Sequence, residues 1–106
     1  MTPPRHRVIV RTEAEADLGD AAVWYEQKEP GLGRQFLVEI ETAIVGAAEN
    51  PFRYPCLRRK PEVRRVLLKR FPYRVFFIRR SDAIVVFRVL HGARHDREWR
   101  GNLPKD

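Results

Sequence analysis

Apolar and polar positions along the chain follow a helical period in the first half and a strand period in the second. Arg7-Val8-Ile9-Val10-Arg11 is a short β-rich run bounded by charges, and it predicts a first strand. Thr12 then opens a helix. Thr12 and Glu15 have the spacing of a capping box, and Glu13, Glu15 and Asp17 suit the positive end of a helix dipole. Ala14, Leu18, Ala21, Ala22 and Tyr25 recur on one face until Pro30-Gly31 breaks the pattern. A second helix is expected over about Leu32 to Glu49, with Phe36, Leu37, Ile40, Ala43, Ile44, Ala47 and Ala48 as its apolar stripe. Asn50-Pro51 ends it, because a residue before proline disfavours the helical region. The short break makes the two helices an antiparallel hairpin. Residues 51–62, punctuated by Pro51, Pro55 and Pro61, read as a loop or a single short turn.

Three β-like runs follow, roughly Val63–Lys69, Tyr73–Arg79 and Ala83–Leu90, separated by breaks short enough for hairpins. They predict a three-stranded antiparallel meander, so the fold class is α+β: N-terminal strand, two-helix hairpin, then meander. Strand alternation puts Val75 and Phe77 opposite Arg74, Phe76 and Ile78, and Val85, Phe87 and Val89 opposite Ile84, Val86 and Arg88. Both faces are largely apolar. The helices cover one, and the other needs the polar tail, through Trp99, or a partner protein. Phe76, Phe77, Phe87 and Trp24 are expected in the core.

The length, 106 residues, fits one domain spanning 1–106. No apolar run reaches the roughly 18 residues of a membrane span, and Val8-Ile9-Val10 is too short for a signal peptide. The single Cys56 excludes an intramolecular disulfide and a Cys-based zinc site and suits a reducing compartment, so a cytoplasmic location is expected. Three His without paired spacing give no metal site, and no cofactor is implied. Charge changes the picture more. Residues 1–50 carry five Lys+Arg and nine Asp+Glu, a net −4, whereas residues 51–106 carry sixteen and five, a net +11. The basic half suits phosphate backbones or an acidic protein. Arg58-Arg59-Lys60 and Arg64-Arg65 are its densest run.

Several segments in fixed order narrow the reading: Ala14-Glu15-Ala16-Asp17-Leu18 with Trp24-Tyr25, Pro30-Gly31-Leu32-Gly33 with Phe36, and Glu49-Asn50-Pro51 with Tyr54-Pro55. Phe71-Pro72-Tyr73-Arg74-Val75-Phe76-Phe77 and Val89-Leu90-His91-Gly92-Ala93-Arg94 with Trp99 complete the set. Across about residues 7–100 the chain resembles the RelE/ParE superfamily of toxins from bacterial type II toxin–antitoxin systems. The resemblance implies a microbial-RNase-like fold and a cognate antitoxin as partner. It implies one of two targets. RelE-like toxins cut mRNA on the ribosome, and ParE-like toxins poison DNA gyrase.

For the nuclease branch, the resemblance places Arg74 on the strand arginine, Arg94 on the arginine after the last strand and Arg65 on one lysine position. His91 is a titratable group beside them. The second lysine position falls at Leu67, and Trp99 or Arg100 occupies the neighbourhood of the catalytic tyrosine. Trp cannot act as a general acid. The incomplete set and the Pro-Tyr-Arg-Val-Phe-Phe and His-Gly-Ala-Arg segments favour the ParE-like branch. Contacts with a target or antitoxin are then expected from Arg58, Arg59, Lys60, Arg64, Arg74, Phe76 and Arg88. Arg74 also reads as a plain strand residue paired with Glu62 or Asp82.

Overall fold

A computed structural model describes residues 6–92 and 96–104. Strand β1 (Arg7–Val10) leads into helices α1 (Thr12–Lys28) and α2 (Leu32–Glu49). A short 3-10 turn (Pro51–Arg53) then precedes β2 (Cys56–Arg59), β3 (Glu62–Leu67), β4 (Tyr73–Arg79) and β5 (Ala83–His91), and a second 3-10 segment (Asp96–Asn102) closes the described chain. The five strands form one sheet in the order β1-β5-β4-β3-β2, with β1 parallel to β5 and the other pairs antiparallel.

The hairpin of helices is held by a device that the sequence pattern does not announce. The Glu26 carboxylate accepts from the Gly31 and Gly33 amides at 3.0 and 3.1 Å, so a side chain of α1 caps the start of α2. Gly31 has φ of 89°, a left-handed conformation that favours glycine. At Gly33 a Cβ would stand 2.6 Å from the Ala22 carbonyl oxygen, so the close helix crossing requires glycine. The expected capping box does not form. Arg11 is the N-cap and no side chain caps the helix. Thr12 is already the first helical residue, one position too far in, although Glu13 and Glu15 do occupy the first turn.

Three expectations need correction. Residues 56–59 are an edge strand rather than part of a loop, paired to β3 with a register shift between Cys56 and Arg58. Pro55 and Pro61 flank it, and at a sheet edge neither removes a needed ladder bond. In β5 the register shifts by one residue: Phe77 pairs with Val86 but Phe76 with Arg88, leaving Phe87 as a bulge. The bulge reverses the alternation, so Val89 joins Ile84 and Val86 against the helices while Leu90 joins Val85 and Phe87 on the far face. Trp24 is not core. It is 53% exposed, edge-on to the buried Tyr25 with the Lys28 ammonium 4.8 Å from its ring centre.

The sheet thus has two apolar faces. On the helix side Tyr25, Phe36, Phe71, Val75 and Phe77 pack with α1 and α2. On the far side Val63, Phe76, Ile78, Val85, Phe87 and Leu90 are covered by the chain's own Trp99, with Leu57 and Leu103 at the margin. Trp99 is 3% exposed and lies 6.4 Å from both the Phe76 and Phe87 rings. The tail therefore closes the face that the sequence left to a tail or a partner.

Candidate functional site: a basic sheet with two distinct faces

Alternation along β3 and β4 sets where each cation points. Arg65 lies across the ladder from Phe76, and Leu67 from Arg74, so Arg65, Leu67, Arg74 and Phe76 share the far face. The Arg74 guanidinium carbon is 5.7 Å from the Phe76 ring centre, and its Nη2 donates to the His91 carbonyl at 2.8 Å. Burial, and secondarily the charge of Arg65, pull Arg74 below the ordinary arginine range, while Glu98 opposes the shift. Two neighbouring guanidinium groups on one partly dry surface form a site for a phosphate or carboxylate. Neither Glu62 nor Asp82 serves as the ion partner expected for Arg74. Glu62 binds Arg64 and Arg79, and Asp82 lies 3.5 Å from Arg7.

His91 ends β5 with its ring turned to the other side. It meets Tyr73 edge-on at 5.1 Å, and Tyr73 in turn packs on Phe36 and Tyr25. There it lines a cleft of about 380 Å³ between α1 and the ends of β4 and β5, with Asp17, Asp20 and Trp24. Arg88 reaches the same region, where Asp17 accepts from its Nε at 2.7 Å and its Nη2 at 3.1 Å, and from the Val89 amide at 2.9 Å. Arg88, expected at a binding surface, is thus committed to tying β5 to α1. Burial raises the Tyr25 hydroxyl pKa beneath this cleft, with Tyr73 adding to the shift.

Among the described residues the candidate nuclease side chains do not converge on one face. Arg65 and Arg74 are together, the His91 ring is on the opposite face, and Arg94 lies outside the described residues. Leu67 is 60% exposed on the Arg74 side. Trp99 fills the core rather than facing a substrate, while Arg100 is exposed with its guanidinium carbon 5.5 Å from the Trp99 ring centre. Phe76, expected at a contact surface, is fully buried beneath Trp99 and offers no surface to a partner in this arrangement.

Arg58, Arg59 and Lys60 are exposed on the hairpin between β2 and β3, where Arg58 Nε donates to the Lys60 carbonyl at 3.0 Å. Arg64 belongs instead to a cluster at the same edge. Glu62 Oε2 accepts from Arg64 Nε at 2.7 Å and Arg79 Nε at 2.8 Å, while Oε1 accepts from Arg79 Nη2 at 2.8 Å. The Arg79 bond, with Arg64 assisting against the effect of burial, holds the Glu62 carboxyl at a pKa of about 2. Phe52 lies beside both arginines and is 61% exposed. Phe52, Glu62 and Arg79 do not stand out in the sequence as a unit. The available signal was the cross-strand position: Glu62 and Arg79 stand one step beyond the Val63–Ile78 pair, an arrangement that favours opposite charges. Among the described residues no helix is long and apolar enough to cross a membrane.

Known proteins supply the frame for this geometry. The structure resembles a chain of the chromosomal ParDE toxin–antitoxin system of P. aeruginosa, with a TM-score of 0.71 and 18% identity over 82% of this chain and 96% of that one. It also resembles a chain of the RelBE2 toxin–antitoxin complex of Mycobacterium tuberculosis, with a TM-score of 0.57 and 24% identity over 89% and 98% of the two chains. Both likenesses establish the RelE/ParE-like α+β fold expected from the sequence. None of the curated proteins matches the sequence. Residues 8–96 match the model of the family described as the ParE toxin of the type II toxin–antitoxin system, parDE. The chain belongs to this family of ParE toxins.

Proposed function

We propose that this toxin inhibits growth by docking on DNA gyrase in the cytoplasm, and that an antitoxin encoded beside it neutralises it by binding. The observation that carries the reading is the separation of the ribonuclease candidates. Cleavage of RNA through its 2′-hydroxyl needs a proton acceptor, a proton donor and cations around one phosphate. The His91 ring and the Arg74 guanidinium point to opposite faces of the sheet, and Trp99 is buried as packing. A docking inhibitor requires no such convergence. It requires a stable basic surface, which Arg58, Arg59 and Lys60 supply.

One observation favours the alternative, a RelE-like ribosome-dependent endoribonuclease. Arg65 and Arg74 are adjacent on one face and suit a phosphate in a charged transition state. The two readings separate in a paired assay: gyrase supercoiling with purified toxin, and primer extension on mRNA from programmed ribosomes. Loss of supercoiling without mRNA cuts supports the gyrase reading. Codon-phased cuts that disappear in Arg74→Ala and Arg65→Ala overturn it.

The antitoxin has a surface to cover, although not the one the sequence suggested. Trp99 closes the far face of the sheet, while Val23 on α1 and Leu37, Val38 and Val45 on α2 are exposed. An antitoxin that lays apolar side chains on these helices and carboxylates toward the basic strands matches both features.

A further inference from the structure

Neither reading above calls on the edge cluster of Phe52, Glu62, Arg64 and Arg79. Its geometry is constrained by one oxygen. Arg64 Nε and Arg79 Nε both donate to Glu62 Oε2, at 2.7 and 2.8 Å, and their guanidinium carbons stand 5.3 and 4.8 Å from the Phe52 ring centre. Two groups that meet at a single oxygen cannot sandwich the ring from opposite faces. They stand together beside the ring, which stays 61% exposed and lines a cleft with Glu49, Asn50 and Arg53. The backing is ordered in advance, because Arg64 Nη1 also donates to the Tyr54 carbonyl at 2.6 Å and Arg79 is bidentate to Glu62. Beside this platform stands Arg59, exposed on the β2–β3 hairpin, paired across the ladder with Glu62 and lining a cleft with Glu62 and Arg64.

We propose that the Phe52 ring, backed by Arg64 and Arg79 and flanked by Arg59, is a stacking site for single-stranded nucleic acid. A flat base covers the exposed ring and the flanking cation meets the phosphates, the combination used by sequence-tolerant strand binders. A purely acidic peptide such as polyglutamate engages the arginines but brings no flat group to the exposed phenyl ring. A duplex keeps its bases stacked on each other and presents only phosphates. The groups that carry the binding, a ring for a base and cations for phosphates, do not read the sugar, while Glu49 and Asn50 line the cleft beside Phe52. The site therefore takes DNA and RNA strands alike. The inference does not rest on the gyrase reading, and its test contains neither gyrase nor ribosomes.

The test is fluorescence anisotropy of the full chain with four labelled probes: a 12-mer of thymidine, a 12-mer of uridine, a 12-base-pair DNA duplex and a 12-residue polyglutamate. The two single strands are expected to bind within about threefold of each other, and Phe52→Ala to weaken both by about tenfold while duplex affinity changes less than twofold. Arg59→Ala should flatten the salt dependence, by about 0.7 in the logarithmic slope for each phosphate that is no longer neutralised. Unchanged thymidine 12-mer affinity in a Phe52→Ala variant that melts like the parent overturns the proposal. Polyglutamate binding as tight as that of the single strands also overturns it and points to an acidic protein instead. If Phe52→Ala does not fold, photocrosslinking of the parent chain to a bromodeoxyuridine strand decides: crosslinked peptides containing Phe52 support the site, and crosslinks confined to other segments overturn it.

Discussion

Glu62 is where a single side chain governs most at this edge. It is largely buried, accepts from two arginines and carries a pKa of about 2 against an ordinary 4.5. A carboxyl whose folded-state pKa is depressed stabilises the fold above its unfolded value, and that stability disappears as pH falls through the folded value. The window here runs from about 4.5 down to about 2. Glu62→Gln should therefore cost on the order of 1–2 kcal/mol near neutral pH, after allowance for solvent screening. The difference from the parent should stay level from neutral pH to about 5.5 and shrink steadily below 4.5. Urea unfolding of both chains across that range measures it, and a gap that widens on acidification contradicts the assignment. Gly33 poses a steric question rather than an electrostatic one. A methyl group there collides with the Ala22 carbonyl oxygen, 2.6 Å away, and backbone cannot swing aside as a long side chain does. Gly33→Ala should destabilise by about 1–3 kcal/mol, readable as a lower urea midpoint with an unchanged m-value.

At the scale of elements, the tail segment Asp96–Asn102 matters through one residue. Trp99 covers Phe76 and Phe87 on the far face, so Trp99→Ala should cost about 3–5 kcal/mol and expose that face, a change that dye binding and the melting temperature both report. An unaltered melting temperature would return Trp99 to the surface. The sequence foreshadowed this packing because a lone tryptophan in a polar tail has few other places to go. It also made both helices legible, since Phe36 and Ile40 in α2 and Ala14, Ala21 and Tyr25 in α1 repeat at helical spacing and are buried. Strand β4 was legible for the same reason. What stayed hidden depends on register. Cys56-Leu57-Arg58-Arg59 lacks alternation and borrows its strand character from pairing with β3. The Phe87 bulge arises between two strands, and it sends Val89 toward α1 against simple alternation. The separation of His91 from Arg74 was likewise invisible, because residues on neighbouring strands are assigned to faces only once the ladder is known.

For the whole molecule, the order of elements converts a charge asymmetry along the chain into one between layers. The acidic half, residues 1–50 with net −4, forms both helices and the edge strand β1, while the +11 half forms the remaining four strands. The helices lie on one face of the sheet and the Trp99 segment covers the apolar part of the other, so the basic strands keep the β2–β3 edge available to an incoming acidic chain. Long-range attraction of this kind acts before contact, and it therefore raises the rate of association more than it slows dissociation. In the proposed complex, short-range packing against the exposed Val23, Leu37, Val38 and Val45, which salt barely screens, would set the dissociation rate. Association of the toxin with its acidic antitoxin should slow by about tenfold between roughly 50 and 500 mM salt, with a dissociation rate that changes less than about threefold. Replacing Arg58, Arg59 and Lys60 by alanine should lower the association rate at low salt and flatten its salt dependence, because these exposed cations project from the sheet edge. Stopped-flow mixing across a salt series gives both rates. A flat association rate in the parent chain would mean that the layered charge does not steer the encounter.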